Sequence, residues 1–148
     1  MPSIIPSYVY SLFATIIVGT LIIATSSLCV SNVKAQAETQ QLSNVAGYVA
    51  TESLQLLSNS AGVEFMSKVS IDVPASIGNQ RFWIQLFNES SSAWVGAGIG
   101  INAVPSTLRV CIPSGVQASG VYVSGTGPAF LKYQSNSSGT YLTLYGGN

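Results

Sequence analysis

The residue types that most often perform acid–base and metal chemistry are scarce in this chain. It has no histidine, so it lacks the commonest general base, the usual partner of a nucleophilic serine and a frequent metal ligand. Asp72 is the only aspartate, and the glutamates are spread from Glu38 to Glu89. Their spacing does not indicate the paired carboxylates that hydrolyse glycosides. We therefore expect no enzymatic activity, no metal and no organic cofactor.

Two further features resemble chemical motifs only superficially. The "GAGIG" of residues 96–100 is followed by Ile101 and then Pro105 rather than by a helix, so we interpret it as a flexible strand or bulge and not as a dinucleotide loop. Cys29 lies in an apolar run and Cys111 in the later domain. We expect no disulfide between them and predict that each is a small buried hydrophobic residue.

Charged side chains are also scarce. They make up 7% of the residues, against about 25% in an average soluble domain. The five positive and five negative charges cancel, and all of them lie at or beyond Lys34. Clusters of Lys and Arg that bind nucleic acid or anionic lipid are therefore absent from the sequence. We expect no nucleic-acid partner.

The longest apolar segment, "PSYVYSLFATIIVGTLIIATSSLCV", covers residues 6–30 and carries no charge. About 20 apolar residues suffice for a helix to cross a bilayer. Tyr8 and Tyr10 are of a type enriched at the membrane–water interface. This segment is predicted to be a helix that lies in a membrane or packs among other copies of itself.

A removable signal peptide is the alternative interpretation of this segment. Val33, Lys34 and Ala35 before Gln36 would form an acceptable cleavage site. However, no basic residue precedes the apolar run, and the run exceeds the usual core of about 7–15 residues. We expect the segment to be retained.

The helical pattern continues beyond the apolar segment. Residues 34–57 contain no proline and one glycine, Gly47, a position at which a helix can kink. Apolar residues recur at helical spacing and form a stripe along one side of the helix. The stripe consists of Leu42, Val45, Ala46, Val49, Leu56 and Leu57, and Leu54 falls outside it. We predict one helix over residues 6–57, whose second part packs on the domain that follows. The predicted division is a helical region, residues 1–60, and an outer domain, residues 61–148.

In the outer domain the apolar period changes to two, which is typical of strands. Turn residues separate about seven short segments that alternate in this way. They lie around Val69–Val73, Phe82–Leu86, Ala93–Val95, Leu108–Ile112, Val121–Val123, Ala129–Tyr133 and Tyr141–Tyr145. The fold class predicted is α+β: a long N-terminal apolar helix followed by a small antiparallel β-sandwich of immunoglobulin-like type.

Several residues of the outer domain are candidates for contacts outside the chain. Trp83, Trp94 and Tyr122 are candidate interface aromatics on a surface poor in charge, with ordinary core packing as the alternative. Asn88 and Asn136 begin Asn-x-Ser triplets, the acceptor sequence for N-glycosylation. Sugars are thus possible partners.

The uncharged apolar helix, the amphipathic continuation and the Ser/Gly-rich β-domain together resemble the archaeal type IV pilin and archaellin superfamily, including membrane-anchored archaellum stator proteins. For the pilins, this resemblance implies a homopolymer in which apolar helices bundle in the core and β-domains coat it. For the stator proteins, it implies a β-sandwich held outside the membrane.

The absence of charge from the apolar segment agrees with this resemblance. A segment without charge can exchange lipid for identical neighbours without burying an unpaired ion. The small residues Ala14, Gly19, Ala24 and Ser26 would permit close approach of helices.

Three functions remain open at this point. The first, which we favour, is a structural subunit of a type IV pilus-like filament at the cell surface, inserted in the cytoplasmic membrane before assembly. The second is a membrane-anchored, stator-like accessory protein whose β-domain binds the cell envelope. The third is a secreted β-domain that binds a sugar or a protein after cleavage near Ala35.

Overall fold

The computed structural model describes residues 4–59, 65–104, 108–113 and 115–147, with side chains from Ser7 onward in the first range and from Met66 onward in the second. These residues form one α-helix followed by seven β-strands, which confirms the predicted α+β class. The chain divides into two compact units, Met1–Ala37 and Glu38–Asn148. We call residues 4–37 the stem and the unit Glu38–Asn148 the head.

Helix α1 spans Ile4–Asn59, which confirms the helix predicted for residues 6–57. Pro6 lies in its first turn, where the missing N–H leaves no helical hydrogen bond unmade. The helix continues through Gly47, whose carbonyl oxygen accepts a 2.9 Å hydrogen bond from the Thr51 hydroxyl.

The seven strands are β1 (Phe65–Ile71), β2 (Phe82–Glu89), β3 (Ser92–Ile99), β4 (Arg109–Ile112), β5 (Val116–Val123), β6 (Ala129–Asn136) and β7 (Gly139–Gly146). They form one sheet in the order β1-β6-β7-β5-β2-β3-β4. Neighbouring strands are antiparallel except β5 and β7, which are parallel. This continuous pairing differs from the two separate sheets of an immunoglobulin-like sandwich.

Strand β5 joins two halves of the sheet because it changes partner at Gly120. Its first half pairs with β7, from Val116 to Gly120, and its second half pairs with β2, from Gly120 to Val123. In sandwiches, strands that bend at a corner pass from one sheet to the other in a similar way. The period-two pattern is the same for one sheet and for two, so it could not distinguish these arrangements.

The inner face of the sheet forms the core of the head, and helix α1 covers it. All seven strands contribute buried apolar side chains to one cluster, which includes Ile71, Phe82, Ile84, Leu86, Val95, Ile112, Tyr122, Leu131, Leu142 and Leu144. From the helix, Leu42, Ala46, Val49 and Ala50 are buried in the same cluster. Burial of a Leu or Val side chain contributes about 1.5–3 kcal/mol. The predicted packing of the helical stripe on the outer domain is confirmed.

The edges of this stripe also agree with the prediction. Val45, Leu56 and Leu57 are partly buried against the core, whereas Leu54 is 40% exposed. Ser53 is buried within the stripe, and its hydroxyl donates a 2.7 Å hydrogen bond to the carbonyl of Val49. A polar residue is accommodated there because the helix itself satisfies its hydroxyl.

The partner change at Gly120 requires glycine for two reasons. Its φ is +116°, a region that residues with a side chain rarely adopt. A Cβ at this position would also overlap the backbone oxygen of Leu144 on β7. The parallel β5–β7 pairing therefore depends on the missing side chain.

We predict that Gly120→Ala destabilises the head much more than Gly100→Ala does. Gly100 has nearly the same φ, +117°, but a Cβ there would meet nothing within 4 Å. Backbone strain alone should cost Gly100→Ala about 1–3 kcal/mol, and the clash with Leu144 should add to this at Gly120. Unfolding of the full chain in detergent, followed by near-ultraviolet circular dichroism, measures both. Equal losses would contradict the proposed role of the close approach.

Candidate assembly surfaces

The stem is apolar on all sides and is not covered within the described chain. Its large apolar side chains are exposed by 41% at Val9 to 76% at Tyr10. Ile16, Ile17 and Val18 are consecutive and all more than half exposed, and successive residues point about 100° apart around a helix. The helix is long and apolar enough to cross a membrane by length and composition, with a mean hydropathy of 2.2 in its most apolar window.

Five hydroxyl groups of the stem are satisfied by the helix backbone. Each donates to a carbonyl three or four residues earlier, at 2.7–3.0 Å; the donors are Ser11, Thr15, Thr20, Thr25 and Ser31. A hydroxyl that is bonded in this way needs no partner from lipid or from another helix. These residues therefore do not oppose transfer of the stem to an apolar environment.

The four predicted assembly residues do not share one side of the stem. Ser26 is seven residues after Gly19, about 20° from the same direction, whereas Ala14 and Ala24 each point about 140° away from Gly19. A Cβ at Gly19 would meet nothing within 4 Å. Gly19 borders a shallow groove of about 440 Å³, also lined by Ala14, Thr15, Val18 and Ile22. The groove is open to a neighbour but makes no internal contact at Gly19.

Two of the three candidate interface aromatics are packed inside the head. Trp83 is 3% exposed and Tyr122 is 2% exposed. The Trp83 ring lies against Gly98, where a Cβ would come within 2.6 Å of it. Trp83 and Tyr122 are therefore packing residues of this chain, which is the alternative that the sequence left open. Trp94 is half-buried, and its interface role stays a prediction.

Tyr122 and Ala118 are four residues apart on β5 and therefore point to the same face of the sheet, the inner one, where both belong to the core cluster. Its hydroxyl donates a 2.9 Å hydrogen bond to the carbonyl of Gly127. Burial raises the pKa of Tyr122 above its ordinary value, and a backbone hydrogen bond at Gly125 opposes this to a smaller extent. The phenol is therefore held neutral in the fold.

The two predicted glycosylation sites have different surroundings, although both are exposed. The Asn88 side-chain oxygen accepts a 2.9 Å hydrogen bond from the backbone N–H of Ala118 on β5. The Asn136 side-chain oxygen accepts a 3.0 Å bond from the N–H of Ser138, within its own triplet. Asn88 thus helps to join strands, whereas Asn136 stabilises the turn between β6 and β7.

Both cysteines are free and exposed, so the prediction that they are buried is wrong. Cys29 lies on the stem, which has no covering element within its own unit. Cys111 lies on β4, the last strand in the sheet order, and alternates with the buried Ile112. Apolar neighbours in the sequence do not distinguish a residue that is buried in the fold from one on an exposed apolar surface.

Two basic residues of the head contact a carboxylate or aromatic rings. Arg109 forms an ion pair with Glu89 at 2.5 Å. The Lys68 ammonium lies 3.8 Å from the centre of the Phe130 ring and 5.4 Å from that of Tyr145. Among the residues that the structure describes, no group of three or more His, Cys, Asp or Glu side chains is placed to hold a metal ion.

Comparisons with protein-family models, curated proteins and solved structures find no match to this chain. Its function must therefore be argued from the surfaces of the stem and the head.

We predict that Tyr122→Phe destabilises the protein at neutral pH but not at high pH. Loss of the bond to Gly127 should cost about 0.5–1.5 kcal/mol at pH 7. Because the folded state holds the proton more tightly, the unfolded chain ionises first above about pH 10, and wild-type stability falls as pH rises through the folded pKa. Phenylalanine cannot ionise, so the advantage of the wild type should shrink there.

Denaturant unfolding of both proteins across this pH range measures that difference. Titration of the other tyrosines is common to both proteins and largely cancels. A stability difference that does not change with pH would contradict the raised pKa of Tyr122.

Proposed function

We propose that this chain is a structural subunit of a type IV pilus-like filament at the cell surface, similar in architecture to archaeal pilins. In this proposal the stems bundle in the filament core, the heads form its outer surface, and the subunit lies in the cytoplasmic membrane before assembly. The observation that carries the proposal is the stem, which has no charged side chain before Lys34 and whose apolar side chains are exposed in all directions.

Such a surface is unfavourable in water, because exposed apolar area of this extent promotes association. It also lacks the polar side that a helix lying flat on a membrane surface would need. Two environments remain that can surround the stem completely: the hydrocarbon of a bilayer, and other stems. A filament subunit would use both in succession.

Transfer from lipid to a bundle of stems requires that no group loses a partner. No residue before Lys34 is charged, so the transfer buries no ion, whose desolvation would cost several kcal/mol. The hydroxyls keep their hydrogen bonds to their own backbone, as at Thr15 and Thr25. The same stem is therefore compatible with either environment.

The arrangement of small residues favours a polymer over a pair of helices. A dimer needs close approach on one side only, as in the motif of two glycines four residues apart. Here Gly19 and Ser26 point in nearly the same direction, whereas Ala14 and Ala24 point about 140° away from Gly19 in opposite senses, about 80° from each other. Contacts on more than one side are what a subunit surrounded by identical neighbours requires.

The second candidate function is a membrane-anchored, stator-like accessory protein whose head binds the cell envelope. It is favoured by the fact that the helix meets the length and hydropathy requirements of a membrane span. In this case the stem stays in lipid, and close approach to other stems has no role.

The variant Gly19→Leu separates these two functions. Leucine adds bulk at a position without an internal contact, is a good helix former and is favourable in lipid. We expect membrane insertion and head folding to be retained and filament assembly to be lost or reduced at least about tenfold, because the added side chain blocks close approach. Ile17→Leu, a change of similar hydropathy at an exposed position outside the residues that line the groove, is the matched control and should assemble normally.

Electron microscopy of cell-surface preparations measures assembly, and fractionation of membranes measures insertion. Absence of filaments from wild-type cells, with the intact chain confined to the membrane, would reject the filament and support the anchor. Normal filaments from Gly19→Leu would contradict the proposed contact at Gly19. A mature chain that begins near Gln36 would reject both functions.

A further inference from the structure

The glycine-rich part of β3 shapes the outer face of the sheet. Gly96 and Gly98 alternate with the buried Val95 and Ala97, so they lie on the side away from helix α1. A Cβ at Gly96 would lie 3.0 Å from the Phe87 ring, and one at Gly98 would overlap the ring of Trp83. The two glycines thus permit both rings of β2 to lie close against the backbone of β3.

A cavity of about 330 Å³ lies on this face. It is lined by Trp83, Gln85, Phe87, Gly96, Ala103, Val104 and Arg109. Its size falls at the lower end of the range for small-molecule sites, about 300–1,000 Å³. It combines aromatic surface with polar side chains, which is also typical of such sites.

The polar side of the cavity is held in a defined geometry. Arg109 on β4 is bonded to Glu89 at the end of β2, and its guanidinium carbon lies 5.4 Å from the centre of the Phe87 ring. A guanidinium that contacts both a carboxylate and a ring loses less freedom when a ligand binds. Gln85 adds a half-buried amide to the lining.

We propose that this cavity binds a neutral sugar ring. The apolar C–H side of the sugar would pack on the half-buried Phe87, and its hydroxyls would bond to Gln85 and to the Arg109–Glu89 pair. Hydroxyls both donate and accept hydrogen bonds, which matches a lining that contains an amide and a guanidinium, with the Glu89 carboxylate bonded to that guanidinium.

The charges of Arg109 and Glu89 favour a neutral ligand over an ionic one. The ion pair has no net charge, so an anionic ligand would meet Glu89 and a cationic ligand would meet Arg109. A purely apolar partner would remove water from these polar groups without replacing its hydrogen bonds. A neutral polyhydroxylated ring avoids both penalties.

The sugar site is independent of the filament proposal, since it uses only residues of the head. Sugar binding and filament assembly can each be present without the other. The experiments that test them use different variants and different measurements.

The test uses the full chain in a detergent without a sugar headgroup. Saturation-transfer NMR with methyl β-D-glucopyranoside and methyl α-D-mannopyranoside reports contact, and titration of tryptophan fluorescence reports affinity. We expect transfer to the ring protons of at least one of these probes. Phe87→Ala and Gln85→Ala should each weaken binding about tenfold, the loss expected for one specific contact.

Phe130→Ala is the matched control, since Phe130 is also half-buried and lies on the same face of the sheet, on β6. It should bind as the wild type does. Near-ultraviolet circular dichroism checks folding of each variant, and Gln85→Ala decides the test if Phe87→Ala does not fold.

Several outcomes would overturn the proposal. These are no transfer to either probe by the folded wild type, binding unchanged in Gln85→Ala, or tighter binding of the anionic methyl β-D-glucuronide than of the neutral glucoside. Loss of filaments in Gln85→Ala without any sugar binding by the wild type would assign the cavity to a contact between subunits instead.

Discussion

The head depends on the packing of helix α1 against the inner face of the sheet. Ala46 and Ala50 are buried where helix α1 faces the strands, and Leu42 and Val49 are buried in the same cluster. Without this layer, the buried side chains of all seven strands would face water, at a cost of about 25 cal/mol for each Å² exposed. The sheet in turn stabilises the helix, since most helical stability in proteins comes from the packing of one face.

The stem is subject to the opposite constraint. Its large apolar side chains from Tyr8 to Val33 are exposed, so their surroundings must come from outside the described chain. This explains why the distribution of charge is so uneven. The charges begin at Lys34, and the hydroxyls earlier in the helix are bonded to their own backbone. The side chains of one continuous helix thus suit its first part to apolar surroundings and its second part to packing in the head.

The sequence predicted the parts of the fold that are set by local periodicity. The helix, its buried stripe and the seven strands follow from periods of 3.6 and 2. The partner change of β5 did not follow, because it depends on a positive φ at Gly120 and on the nearness of Leu144, a contact between separate strands. The sequence left the burial of Trp83 open for a similar reason: Gly98, on the neighbouring strand, makes room for its ring.

The same pairing explains why the candidate sugar site was not visible in the sequence. Glycine within a strand costs about 0.5–1 kcal/mol relative to alanine, so Gly96 and Gly98 weaken β3 unless another contact compensates. The rings of Phe87 and Trp83 provide that contact, and antiparallel pairing of β2 with β3 brings them there. On the other half of this face the Phe130 ring is contacted by Lys68 of the same chain. The glycines therefore make a recess beside aromatic rings that an ordinary strand would fill with its own side chains.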